Sequence, residues 1–141
     1  MFFDALIPYL RADGELATVL STHTGHPSVF AEMAPESATT PFIVCSFRGS
    51  PTPDHVVVSG DLSIDFFDSG TSWKNAEKAA KRAEVLLDAM KLTSTDFTDI
   101  RFSFSSGGTV EGSDPRDIHY NAVYGVRMIR KTWLTKHSLL T

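Results

Sequence analysis

Apolar and polar positions follow two different periods along this chain, and the changes of period divide it into elements. The strongest pattern lies over residues 72–91. There Trp73, Ala76, Ala80, Ala83, Leu87 and Met90 step by three and four, while Lys74, Lys78, Lys81 and Glu84 fill the other side. That is an amphipathic helix. Ser72 stands where a cap belongs, its hydroxyl within reach of the N–H of Asn75 or Ala76. A second stripe, Phe3, Leu6, Ile7 and Leu10, predicts an N-terminal helix. Pro8 falls inside it, so the helix either begins just before Pro8 or kinks there. Asp13-Gly14 breaks the run, and "ELATVLST" allows one or two further helical turns.

Elsewhere the period is two. "DLSIDFFD" puts Leu62, Ile64 and Phe66 on one face and Ser63, Asp65 and Phe67 on the other. "IRFSFSS" turns Ile100, Phe102 and Phe104 inward. "IHYNAVYGVRMIRKTW" is a long strand with Ile118, Tyr120, Ala122, Tyr124, Val126 and Met128 sharing a face. "PFIVCSFRG" reads as a buried strand and "SPTPDH" after it as a turn-rich connection. Residues 23–41, punctuated by three prolines, read as loop with a short strand at Val29–Met33. "GGTVEGSDPRD" is a polar, glycine-rich loop, so residues 105–117 and 23–41 are expected to be flexible. Only one helix lies between strands, which excludes a repeated βαβ wind. The expected fold is a single α+β domain over residues 1–141, with a mixed, mainly antiparallel sheet, two helices on one face and a C-terminal tail at 132–141.

Composition narrows the classes. The 141 residues are 42% hydrophobic and 21% charged, ordinary for a globular domain. No apolar run approaches the roughly 20 residues of a membrane span, and "MFFDALIPYLRADG" lacks the basic start and cleavage site of a signal peptide. Cys45 is the only cysteine, which suits a reducing compartment. Charge is uneven: residues 1–70 carry two basic against nine acidic residues, and residues 71–141 eleven against eight. Halves of opposite sign do not make a nucleic-acid footprint. They suit either a chain that docks head to tail on its neighbour or charges that intermix on folding.

Candidate chemistry is sparse. "FFDSGTS", residues 66–72, looks like the Asp-Gly turn of an aspartic protease, but the best helix of the chain follows at once, which makes it a strand-to-helix turn. Asp68 sits where an anion would have to bind at that helix start, and neither phosphate-loop glycine pattern is present. His23 and His26 have a spacing that some metal sites use, without further ligands at a diagnostic interval. Asp61, Asp65 and Asp68 resemble a carboxylate cluster, yet alternation sends Asp65 and Asp68 to opposite faces. Cys45 lies in apolar "FIVCSF", where a thiol packs as a small hydrophobe. Asp114, Asp117 and His119 come without a nucleophile. No catalytic residue, cofactor site or metal site is expected.

The outward strand faces are more informative. Ser63, Asp65, Arg101, Ser103, His119, Asn121 and Arg127 oppose the core-facing residues, and Phe67, Val123 and Ile129 interrupt them with apolar groups. Such a mixed sheet face is what an interaction surface looks like.

The order of elements is itself familiar. A helix ending in "LRADGELATVL" leads through "SVFAEMAPESATTPFIVCSF" to a polar loop, the strand "LSIDFF", the small-residue helix, and the paired strands "IRFSFSS" and "YNAVYGVRMIRK". Over residues 3–131 this resembles the tail terminator (tail completion) proteins of long-tailed bacteriophages and related prophages. The resemblance implies a structural protein that is not an enzyme and needs no cofactor. It implies a homo-oligomer, a hexameric ring at the head-proximal end of the tail tube, which ends tube polymerisation and offers the head-joining surface. Its partners would be the tail tube protein and a head-completion or connector protein, with DNA passing through without sequence-specific binding and no membrane involved. It would reside in the neck region of the virion after assembly in a bacterial host's cytoplasm. The residues expected at the subunit or tube interface are Asp65, Phe67, Arg101, Glu111, Asp114, Arg116, Asp117, His119 and Arg127. Two other readings stay open: another neck or connector protein, or an enzymatic or small-ligand-binding α+β domain with its pocket between helix 72–91 and the sheet.

Overall fold

The computed structural model describes residues 2–49, 56–70, 72–88, 90–111 and 116–131. Helix α1 (Phe3–Arg11) continues through Pro8, which faces solvent while Leu6, Ile7 and Leu10 are buried. The proline removes one N–H donor, and the buried stripe holds the helix on either side of it. Asp13 then adopts extended dihedrals and caps α2 (Gly14–Val19), its carboxylate accepting from the Leu16 N–H at 3.0 Å. The described residues therefore hold three helices, one more than expected, because the Asp13 cap starts a new helix where the first stops.

A miniature hairpin follows, β1 (Thr22–His23) with β2 (His26–Pro27). Its two central residues, Thr24 and Gly25, both have positive φ, 48° and 83°, as the tightest hairpin turns require. Strand β3 (Val29–Ala31) is two residues shorter than the predicted strand, because Glu32 at φ 68° leaves the extended region. Then come β4 (Phe42–Gly49), β5 (Val57–Ser69), α3 (Lys74–Leu87), β6 (Lys91–Leu92), β7 (Phe97–Val110) and β8 (Asp117–Arg130). Residues 50–55, read as a turn-rich connection, lie outside the described residues, as does the tail at 132–141.

The main sheet has six strands in the order β3-β4-β5-β8-β7-β6. Only β3 and β4 are parallel; the other pairs are antiparallel. Register places Ile43 beside Phe66, Ile64 beside Ala122 and Leu62 beside Tyr124, so one face is continuously apolar and buried. Each fully buried Leu, Ile or Phe there contributes roughly 1.5–3 kcal/mol. All three helices sit on this side. α3 crosses β5, β7 and β8, α1 packs on β3, and α2 packs on α1 and α3. Ala76, Ala79, Ala80 and Ala83 let α3 approach closely, with Leu87 buried at its end. Trp73 is only half-buried and occupies the cap position, so Ser72 reaches Lys74 N–H at 3.2 Å instead of Asn75 or Ala76. Two polar ties fix the helix layer. Tyr9 donates to the Leu86 carbonyl at 2.7 Å, and Arg82 grips Asp13 at 2.7 and 2.9 Å.

The main departure from expectation is β7. Its strand continues through Gly107 and Gly108 to Val110, where a polar loop was expected from residue 105, because β8 offers a full ladder: Gly107 pairs with Ala122 and Val110 with His119. Register slips at Thr98/Arg101 and Phe104/Ser106 absorb the extra residues. Gly107 is needed for room, since a Cβ there would stand 2.8 Å from the Tyr120 hydroxyl. Phe104 lies opposite Tyr124 on the helix side but is 48% exposed, on the wall of a groove that opens between α3 and β7.

Candidate functional site

Among the described residues, no helix lies on the second face of the sheet. Strand register builds it in rows. Phe42, Phe67, His119 and Val110 align across four strands; Val44, Asp65, Asn121 and Gly108 form the next row; Ser46, Ser63, Val123 and Ser106 the one after. Within these rows the polar groups satisfy one another. One Asp65 oxygen, Oδ1, lies 2.7 Å from His119 Nε2 and accepts from Asn121 Nδ2 at 2.9 Å; the same Asn121 nitrogen donates to Ser63 Oγ at 2.7 Å.

Beside this network runs a ladder of rings. Phe67 stacks on His119 with centroids 4.3 Å apart and on Phe42 at 5.1 Å. Phe42 meets Phe30 edge-on at 6.1 Å, and Phe30 meets His23 at 5.3 Å. Asp65, Phe67 and His119, which alternation sends outward, are thus brought together by the register of β5 on β8. Phe42, Phe30 and His23 were not anticipated. The signal was available, since Ile43 and Cys45 inside "PFIVCSF" send Phe42 and Val44 outward.

The remaining interface candidates fall into two other places. Arg101 and Arg127 face each other across β7 and β8, with Lys91 opposite Arg101 on β6. Two like charges directly opposed cost stability, and Asp99 relieves only Arg101, at 3.1 Å. Glu111, Arg116 and Asp117 lie at the end of the β7–β8 hairpin, where Asp117 pairs with Ser69 and the Arg116 carbonyl accepts from Gly70 N–H at 3.0 Å. Asp114 is outside the described residues.

Chemically, Asp65 and His119 stand as an orienting carboxylate and base would, but the hydroxyl of the network, Ser63, is bound through Asn121 rather than to the imidazole. Asp68 accepts from its own neighbour's N–H, Ser69, at 2.8 Å, and Gly70 at φ 122° makes the turn toward α3. His23 and His26 are paired in the miniature hairpin, and among the described residues no three His, Cys, Asp or Glu side chains converge as metal ligands. Cys45 is fully buried on the helix side, and burial pushes its thiol up to about 12. Among the described residues no helix is long and apolar enough to cross a membrane.

Concavities accompany these surfaces, one of about 440 Å³ beside Arg101 and Arg127. A groove of about 460 Å³ opens between α3 and β7, with Glu84, Val85, Phe102, Phe104 and Tyr124 on its walls. The Tyr124 hydroxyl is buried with no hydrogen-bond partner among the described residues. Burial, with Glu84 nearby, raises its pKa well above the usual phenol range, so it is a neutral donor in waiting.

No protein-family model matches the chain, and no curated protein matches it by sequence. Solved structures do. A chain from the virion of a native gene transfer agent particle superposes with a TM-score of 0.69 at 16% identity, over 89% of this chain and 92% of that one. A second solved chain superposes with a TM-score of 0.60, also at 16% identity, over 86% of this chain and 94% of that one. At such identity the likeness establishes the fold alone: an arrangement covering about nine-tenths of this chain also occurs in a chain of that virion.

Proposed function

We propose that this protein is a non-enzymatic structural subunit of a phage-like particle, and that it works as a tail terminator, a homo-oligomeric ring capping the head-proximal end of the tail tube. The observation that carries the reading is the superposition on a gene transfer agent virion chain along about nine-tenths of both chains. The order of elements that resembles tail terminators supports the finer assignment, and so does the sheet face on which no helix lies among the described residues. That face joins a satisfied polar network to a stacked ring ladder, the mixture of anchor aromatics and polar rim that protein contacts use. The ring would meet the tube protein on one side and a connector on the other, and DNA would pass through without base-specific contacts.

Sizing the purified protein across a range of concentrations tests this, together with Phe67→Asp. The expected result is a discrete ring-sized species for the wild type. The variant should stay folded but lose that species and fail to restore normal tail length to particles lacking the gene. A wild-type protein that stays monomeric, or a Phe67→Asp protein that restores tails of normal length, overturns the proposal.

A further inference from the structure

β6 pairs with β7 only at Ile100 and Arg101, and Asp88 adds one isolated bridge to Phe102. From Ser103 to Val110, no strand among the described residues lies along the outer edge of β7. Such an edge is a template for an added strand, and proteins that leave one bare defend it with lysine, proline or other charge. "SFSSGGTV" has none of these. Phe104 and Val110 on this edge are 48% and 37% exposed. The groove beside the edge ends on a buried Tyr124 hydroxyl without a partner among the described residues, and a buried donor left unmade is costly until something completes its bond. These are independent signs of a surface awaiting an extended chain.

The groove also says what kind of chain. Glu77, Glu84 and Asp88 along it outnumber Lys81, so the occupant is basic as well as apolar. Residues 132–141, "TWLTKHSLLT", carry Lys136 and His137, no acid, and the apolar Trp133, Leu134, Leu139 and Leu140. Ten extended residues span at most about 33–36 Å, and the free edge is about 26 Å long at roughly 3.3 Å per residue. β8 delivers Lys131 at the end of the sheet where Arg130 pairs with Phe97. From there a chain returning to its own edge must first pass around β6, using up length that a chain from a neighbour keeps.

We propose that the free edge of β7 and the adjoining groove take up residues 132–141 of a second copy of this chain as an added strand, with Trp133 against Phe104 and a carbonyl completing the Tyr124 hydroxyl. The inference rests on the ring reading for its setting, because donation from each subunit to the next is a heterologous contact that repeats around a closed ring.

The test is a disulfide trap in the full chain. Phe104→Cys combined with Trp133→Cys should oxidise to covalent dimers and higher species, while neither single variant does so; Cys45 is buried and takes no part. Tyr124→Phe should fold normally and weaken self-association about five-fold. A trap that closes only within one chain, or not at all, overturns the inference, as does undiminished association of Tyr124→Phe. A discrete ring without the intermolecular trap overturns the strand donation and leaves the ring. An intermolecular trap without a closed ring keeps the donation and overturns the ring.

Discussion

Asp13→Ala probes the joint between the helices. Asp13 does two jobs: its carboxylate caps α2 by accepting from Leu16 N–H at 3.0 Å, and it receives Arg82 of α3 at 2.7 and 2.9 Å. The Asp13 side chain is 10% exposed. Losing the cap alone costs about 0.5–2 kcal/mol. The ion pair adds less, because Arg82 reaches solvent and is screened there. Asp13→Asn keeps a capping oxygen as good as the original and loses only the charge, so its smaller loss isolates the pair. Urea unfolding should show lowered midpoints at unchanged slope, alanine lower than asparagine. The pH dependence follows from direction. Arg82 holds the Asp13 carboxyl below its usual range, so the folded pKa is depressed relative to the unfolded value of about 3.9. The stabilisation is present in full above the unfolded value and is lost as pH falls through the folded one. The gap between wild type and Asp13→Asn should therefore close as the medium is acidified below about pH 4. Equal midpoints for all three proteins at pH 7, or a gap indifferent to acid, would refute the account.

Two further outcomes follow from the helix–sheet layer. Ala83 is fully buried under α3, so Ala83→Trp should overpack the layer and lower stability by about 1–3 kcal/mol in the same titration; an unchanged midpoint would mean the helix does not press on the sheet there. Cys45, buried and with its thiol pushed up to about 12, should resist Ellman's reagent at pH 8 until the protein is unfolded; rapid stoichiometric labelling of the native protein would show that the strand is not covered.

What the sequence disclosed is what side-chain periodicity can carry. Leu62, Ile64 and Phe66 announced the buried face of β5, and Ala76, Ala80, Ala83 and Leu87 that of α3, because the face of a residue is fixed by its own backbone period. Residues 107–110 were misread for the opposite reason. The glycine pair there reports a weak local preference, whereas the strand exists because β8 supplies partners from His119 to Ala122. Pairing overrides propensity in a sheet. The same limit explains Phe104: parity placed it on the correct face, but only the length and crossing of α3 could leave it 48% exposed.

The surfaces divide along the same line. Alternation alone placed Asp65, Phe67, Arg101, His119 and Arg127 outward, since each follows from parity within one strand. Their neighbours did not follow. That Phe67 stacks on both His119 and Phe42, and that Asp65 lies between His119 and Asn121, depends on register among strands up to 79 positions apart, counting from Phe42 to Asn121, which no single stretch encodes. The free edge is hidden more deeply still. "SFSSGGTV" is bland as a sequence, and its lack of charge means nothing until β6 proves to be two residues long and leaves that stretch, paired with β8 on one side, with no strand on its other side among the described residues. Once it does, the missing lysines and prolines become the observation: an edge that long and that uncharged invites pairing unless something already covers it.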